Sequence, residues 1–177
     1  MATNPKIHQL SSKDDQRKKV VLIVHQSYDI CEEYKTLVEK NDLDVHIVYN
    51  GSDAINKVYQ LLPDVIISDI VLPEINGYQF CRLMKNDPVT RKIPFILVSD
   101  FEEKMDKFWG FKAGADAFLQ HEETPIKLNQ QIEMLLEIYD NIDVKERSQF
   151  LHEHKDHVYN VRTRLTQILD KSLIEST

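Results

Sequence analysis

Four apolar runs in this chain end on residues able to do chemistry. Residues 20–24 lead into His25 and Gln26, residues 65–67 stop just short of Asp69, residues 95–98 run into Ser99, and residues 117–119 precede His121. Runs of this length fit strands buried on both faces of a parallel sheet. In such sheets the chemistry collects just past the carboxyl ends of the strands. The residues themselves leave two readings open. In one, His25 and His121 are partly buried, neutral, hydrogen-bonded imidazoles, Asp69 is a hydrogen-bonded carboxylate and Ser99 is a strand-end hydroxyl. In the other, the two histidines and Asp69 form a donor set for a softer divalent metal.

Positioning these residues takes a regular alternation of elements. Apolar runs at 20–24, 45–48, 65–67, 95–98 and 117–119 alternate with amphipathic stretches at 27–41, 52–61, 77–85, 103–113 and 124–139. Five strands, each followed by a helix, predict a parallel sheet wrapped on both faces by right-handed crossovers. Asn50 and Gly51 turn the chain after the second strand, and Ser52 and Thr124 are expected to cap the helices they begin. Pro63 closes the second helix, Pro94 opens the fourth strand, and Gly114 stands where a helix C-terminus favours a left-handed residue. Phe108, Trp109 and Phe111 read as core or interface residues of the fourth helix.

The flanks read differently. Residues 1–18 are polar, with little apolar periodicity, and are expected to form a mobile tail. A last helical segment is expected from about residue 145 to 171. Within it Leu151, His154, Val158, Val161, Leu165, Ile168 and Ser172 keep a strict alternation of three and four. A lone helix would leave that stripe wet, so it predicts a partner, with a second copy of the chain meeting it through Leu151, Val158, Val161, Leu165 and Ile168. The organisation expected is a tail at 1–18, an α/β domain at 19–140 and a helical extension at 141–177.

Of the 177 residues, 42% are hydrophobic and 29% charged, an ordinary balance for a soluble globular protein. The net charge is −7, and the one basic block, Arg17-Lys18-Lys19, is expected to keep the edge of the fold soluble. Nucleic acid is therefore a poor fit as a partner. Cys31 and Cys81 lack metal-type spacing and read as buried thiols in a reducing compartment. No apolar run approaches the ~20 residues of a membrane span, and the N-terminus has no signal-peptide core. A cytoplasmic protein without membrane contact is the expectation.

"PDVIISDIVLPEINGYQFCRLMKNDPVTRKIPFILVSD", residues 63–100, adds a resemblance. It resembles the receiver domain of two-component response regulators, over about residues 19–140. The resemblance implies a flavodoxin-like, five-stranded parallel sheet with helices on both faces. It makes Asp69 the phosphate acceptor, with Pro73 and Gly77 completing a D-x-x-x-P-x-x-x-G pattern. Ser99 takes the place of the Ser or Thr that hydrogen-bonds the phosphoryl group. "GADAFL", residues 114–119, puts Phe118 at the switch aromatic position. The family's signalling face corresponds to residues 104–112, Phe118 and 126–138, and a histidine kinase or a downstream effector is the partner implied.

Three departures bear on function. The acid pair that holds magnesium in the family is replaced by His25 and Gln26. Magnesium wants hard oxygen ligands in octahedral geometry, and phosphoryl transfer needs its charge. Magnesium binding is therefore expected to be weak or lost, and no cofactor is expected. The family's phosphate-pairing lysine aligns with His121, a shorter group that is mostly neutral at neutral pH, and the proline after it with Glu122. Asp100 sets an acid where the family keeps a small residue. These departures imply a pseudo-receiver, a non-enzymatic protein-interaction module that works without phosphorylation. The alternatives are a response regulator phosphorylated on Asp69 by a histidine kinase, and a non-catalytic fragment of a receiver–histidine kinase hybrid.

"SQFLHEHKDHVYNVRTRLTQIL", residues 148–169, weakly resembles the dimerisation helix of histidine kinases. Arg162, Thr163 and Leu165 match its H-E-L-R-T-P-L motif, and Ser148, Phe150 and Leu151 match the lead-in. Tyr159 stands at the phosphorylated histidine position and Arg164 at the proline. A plain amphipathic dimerisation helix is the other reading.

Overall fold

The computed structural model describes residues 17–100 and 104–140. In chain order the elements are β1 (Val20–Val24), α1 (Tyr28–Glu39), β2 (Asp44–Val48), α2 (Gly51–Leu61), β3 (Val65–Asp69), α3 (Gly77–Asn86), β4 (Phe95–Ser99), α4 (Lys104–Ala113), β5 (Ala117–Gln120) and α5 (Thr124–Asp140). A single 3-10 turn, His121–Glu123, joins β5 to α5. All strands are parallel in one sheet of order β2-β1-β3-β4-β5, the expected architecture. The expected C-terminal seam (Leu151, Val158, Val161, Leu165 and Ile168), the kinase-like stretch and most of the N-terminal tail lie outside the described residues.

Side-chain alternation along the strands splits the core in two. Leu22, Val24, Ile66 and Leu97 face α2, α3 and α4, where they meet Ile55, Val58, Phe80 and Met84. Val21, Ile23, Ile67, Ile96 and Val98 face α1 and α5, against Cys31, Tyr34, Val38, Leu128 and Ile132. Each such aliphatic contributes roughly 1.5–3 kcal/mol at full burial, against the entropy of ordering it. Cys31 and Cys81 are buried free thiols, as expected. Among the described residues no helix is long and apolar enough to cross a membrane.

Several local expectations are corrected. Asn50, not Ser52, caps α2: its side chain accepts from the Asp53 amide at 2.7 Å, and Ser52 falls inside the buried first turn. Thr124 does not cap α5 either, because the 3-10 turn precedes it and its hydroxyl donates backward to the His121 carbonyl at 2.7 Å. Phe108, Trp109 and Phe111 are about half exposed, which removes the core reading and leaves that of interface residues of α4. Gly114 does end α4 in the left-handed region, with φ of 99°.

The amino ends of the strands are tied by two carboxylates. Asp64 accepts from the Val20 amide at 2.8 Å and from both terminal nitrogens of Arg17, at 2.8 and 3.0 Å. Arg17 is thus a structural clamp in addition to a solubilising charge. Asp116 accepts from Lys85 Nζ at 2.6 Å, from the Phe95 amide at 2.7 Å and from the Tyr139 hydroxyl at 2.7 Å. These two hubs fix the end of the sheet opposite the site and leave its carboxyl end free for it.

Candidate functional site

The strand order reverses between β1 and β3, so the connections after these strands leave in opposite directions and open a crevice at their carboxyl ends. His25 follows β1 directly and Asp69 is the last residue of β3. His121 opens the 3-10 turn after β5, and Ser99 ends β4. The sheet therefore brings together residues that are 44 and 52 positions apart in sequence.

At the centre, His25 Nε2 lies 3.5 Å from Asp69 Oδ2, with the two side chains 6% and 7% exposed. His121 Nε2 lies 3.8 Å from Asp69 Oδ1 and 3.8 Å from Oδ1 of the exposed Asp100. The two imidazole rings meet edge to face, with centroids 5.2 Å apart. Ser99 is buried, and its Cα is paired with that of Gln120 on β5. Gln26, directly after His25, is exposed. Phe118 is buried against α4, so closely that a Cβ on Gly110 would come within 3.0 Å of its ring.

The loop after β3 is drawn in tightly. Ile70 donates its amide to the Val98 carbonyl at 3.1 Å, and Gly77 donates to the Ile70 carbonyl at 2.9 Å. A Cβ at Gly77 would fall 2.2 Å from the Asp69 carbonyl oxygen, so only glycine lets the start of α3 close against the site. Asn76 and Gln79 cap that helix start reciprocally.

Outer contacts set the ring protons. The Ser27 amide donates to His25 Nδ1 at 2.9 Å, so that nitrogen carries no proton and the neutral ring keeps its N–H at Nε2, towards Asp69. Burial lowers the His25 pKa, with the neighbouring His121 acting in the same direction and Asp69 opposing both. The Tyr34 hydroxyl hydrogen-bonds His121 Nδ1, and the two rings stack with centroids 5.8 Å apart. Burial pushes the Tyr34 phenol far above its ordinary range, so it stays a hydroxyl. His121 Nε2 is buried without a hydrogen-bond partner.

Tyr34 is the residue that sequence reasoning missed. The signal was present: Cys31, Tyr34 and Val38 form the buried stripe of α1, and a buried tyrosine normally finds a partner for its hydroxyl.

The magnesium ion that the family resemblance implies does not fit these residues. Its hard-oxygen preference meets one carboxylate, an imidazole at the first acidic position and an exposed amide at the second.

A family model described as the response regulator receiver domain matches residues 21–133. Protein PilH of Pseudomonas aeruginosa is 36% identical over 110 residues, which cover 60% of this chain and 91% of that protein. Protein PilG of the same organism is 33% identical over 99 residues, covering 56% and 73%. The solved signal receiver domain of a signal transduction histidine kinase from Syntrophus aciditrophicus is 30% identical, with a TM-score of 0.66 over 71% of this chain and 96% of that one. With the match running from β1 into α5, this chain belongs to the response regulator receiver domain family.

Proposed function

We propose that this receiver transmits its signal without taking phosphate on Asp69, as a pseudo-receiver controlled by protein binding. The supporting observation is the pairing at Asp69. A buried imidazole with a lowered pKa stands 3.5 Å from the carboxylate, where phosphoryl transfer would need an oxygen-bound divalent cation. His121 in place of an ammonium, and the nearby Asp100 carboxylate, further weaken the pocket for an anion.

On this reading the output is a docking surface on α4, β5 and α5. Phe108, Trp109 and Phe111 on α4, and Ile126, Met134 and Ile138 on α5, are large exposed apolar residues of the kind that anchor interfaces. The partner is a signalling protein, either a histidine kinase or a downstream effector, and the setting is the cytoplasm. The chain itself carries out no catalysis, and a second copy pairs with it through the C-terminal segment.

Incubation with magnesium and a small-molecule phosphoryl donor, read by intact mass, tests the reading. No phosphoryl adduct is expected, and beryllofluoride with magnesium should leave the amide spectrum around Asp69 unchanged. An adduct that disappears in Asp69→Asn would replace this reading with that of a phosphoaccepting regulator.

A further inference from the structure

We propose that His25, Asp69 and His121 form a binding site for a divalent transition metal. Among the described residues these three offer His and carboxylate ligand atoms that all lie within 4.8 Å of one another. The observed spacings of 3.5 and 3.8 Å, imidazole nitrogen to carboxylate oxygen, are too long for good hydrogen bonds. They are close to the separation of about 3.3–3.4 Å between donors bound tetrahedrally at 2.0–2.1 Å from zinc.

A second observation points to a ligand independently. His121 Nε2 is buried, has no hydrogen-bond partner and faces Asp69. A buried polar atom left this way is unfavourable, and a metal would satisfy it. Two imidazoles and one carboxylate suit zinc and its neighbours in the first transition row, and do not suit magnesium. Asp100, exposed at the mouth, adds negative charge on the approach.

The groups that touch the far nitrogens of the two rings make the site selective about its own state. Ligation through Nε2 requires each ring to carry its proton on Nδ1. At His121 this is easily met, because the Tyr34 hydroxyl can rotate and accept from Nδ1. At His25 the Ser27 amide donates to Nδ1 in the metal-free chain, so metal entry moves the ring proton from Nε2 to Nδ1 and breaks that bond. The Ser27 amide is therefore a built-in reporter. A bound ion would join the ends of β1 and β3 to the turn after β5, which makes the metal itself a candidate input to this receiver. The proposal does not depend on whether Asp69 accepts phosphate, which the mass measurement above decides separately.

The test is zinc chloride titrated into the full chain, with the imidazole nitrogens and the Ser27 amide followed by NMR. The expected result is one ion per site: the His25 Nε2 resonance changes from N–H type to metal-bound, the His121 Nε2 resonance moves to the metal-bound position, the Ser27 amide shifts with them, and a chelator reverses all three. Asp69→Asn and His121→Gln should each weaken this binding at least about tenfold. Asp100→Asn should change it by less than that. The chain also contains His8, His46, His152, His154 and His157, which makes bulk stoichiometry insufficient. Zinc taken up while the His25 and His121 rings and the Ser27 amide stay unmoved would overturn the proposal. That readout comes from the unsubstituted protein, so misfolding of a variant cannot mask it.

Discussion

His25 Nε2 stands 3.5 Å from Asp69 Oδ2, with both side chains nearly sealed from water. An imidazole that keeps its N–H towards the carboxylate offers it a weak donor and no oxygen for a hard cation. Titration with magnesium at millimolar levels is expected to leave the amide spectrum around Asp69 unchanged. The double substitution His25→Asp with Gln26→Asp returns the oxygen donors that magnesium needs, and saturable binding is expected to follow. Saturation of the unsubstituted chain in the same range would contradict the account of the pocket.

The pH dependence of stability follows from the same ring. The folded-state pKa of His25 is lowered, chiefly by burial, so the unfolded chain binds that proton more readily. Stability from this group is complete above about pH 6.5, the ordinary histidine value, and is lost as pH falls from there through the folded pKa. Urea midpoints between about pH 7.5 and 5.5 should fall less in His25→Gln than in the parent chain. Parallel midpoints over that window would show that His25 does not titrate between the two states.

Much of this was legible in the sequence, for a physical reason. A parallel sheet buried on both faces must be written as short apolar runs, and the residue just past each run falls at one edge of the sheet. His25, Asp69, Ser99 and His121 were therefore recognisable as neighbours despite their separation in the chain. What sits one layer further out was not. Tyr34 reaches His121 across from α1 to the turn after β5, and no local pattern specifies that crossing. The hub at Asp116 likewise depends on where α3 and α5 end in space. The cap of α2 is not settled by sequence because two good capping residues lie within three positions, and the extended backbone of Asn50 decides between them.

Asp116 supports the largest stability prediction. Its carboxylate receives a largely buried lysine, a strand amide and a tyrosine hydroxyl. Asp116→Asn removes the charge that Lys85 is paired with, while the Arg91 and Ile93 carbonyls still accept from that lysine. A loss of roughly 2–3 kcal/mol in urea unfolding is expected. Asp100→Asn, on an exposed side chain, should stay within about 0.5 kcal/mol of the parent. Equal effects at the two positions would remove the case for the hub.

The thiols should be silent until the fold opens. Burial pushes Cys31 up to about 11 and Cys81 up to about 12, and both side chains are fully covered. Thiolate is the reactive form, so at about pH 8, near the ordinary thiol pKa, alkylation of the native chain should be slow at both positions. In denaturant both should react promptly. Fast modification of either thiol under native conditions would show that α1 or α3 opens locally far more easily than this packing implies.

The last prediction concerns residues 141–177. Their sequence repeats seam positions at strict intervals of three and four from Leu151 to Ile168, all apolar except His154, a seam narrower than a core helix presents. Burying Val158, Val161, Leu165 and Ile168 between two copies would contribute roughly 1.5–3 kcal/mol each, against the entropy of ordering the segment. The full chain is expected to sediment as a dimer at tens of micromolar. Removal of residues 145–177 leaves the sheet, both core layers and the bond from Tyr139 to Asp116 in place, so a folded monomer should remain. Val161→Asp with Leu165→Asp should separate the copies to the same extent. A monomeric full chain would end the idea. A truncated chain that still pairs would move the interface to the half-exposed aromatics of α4, where Trp109, the chain's one tryptophan, would report it by fluorescence.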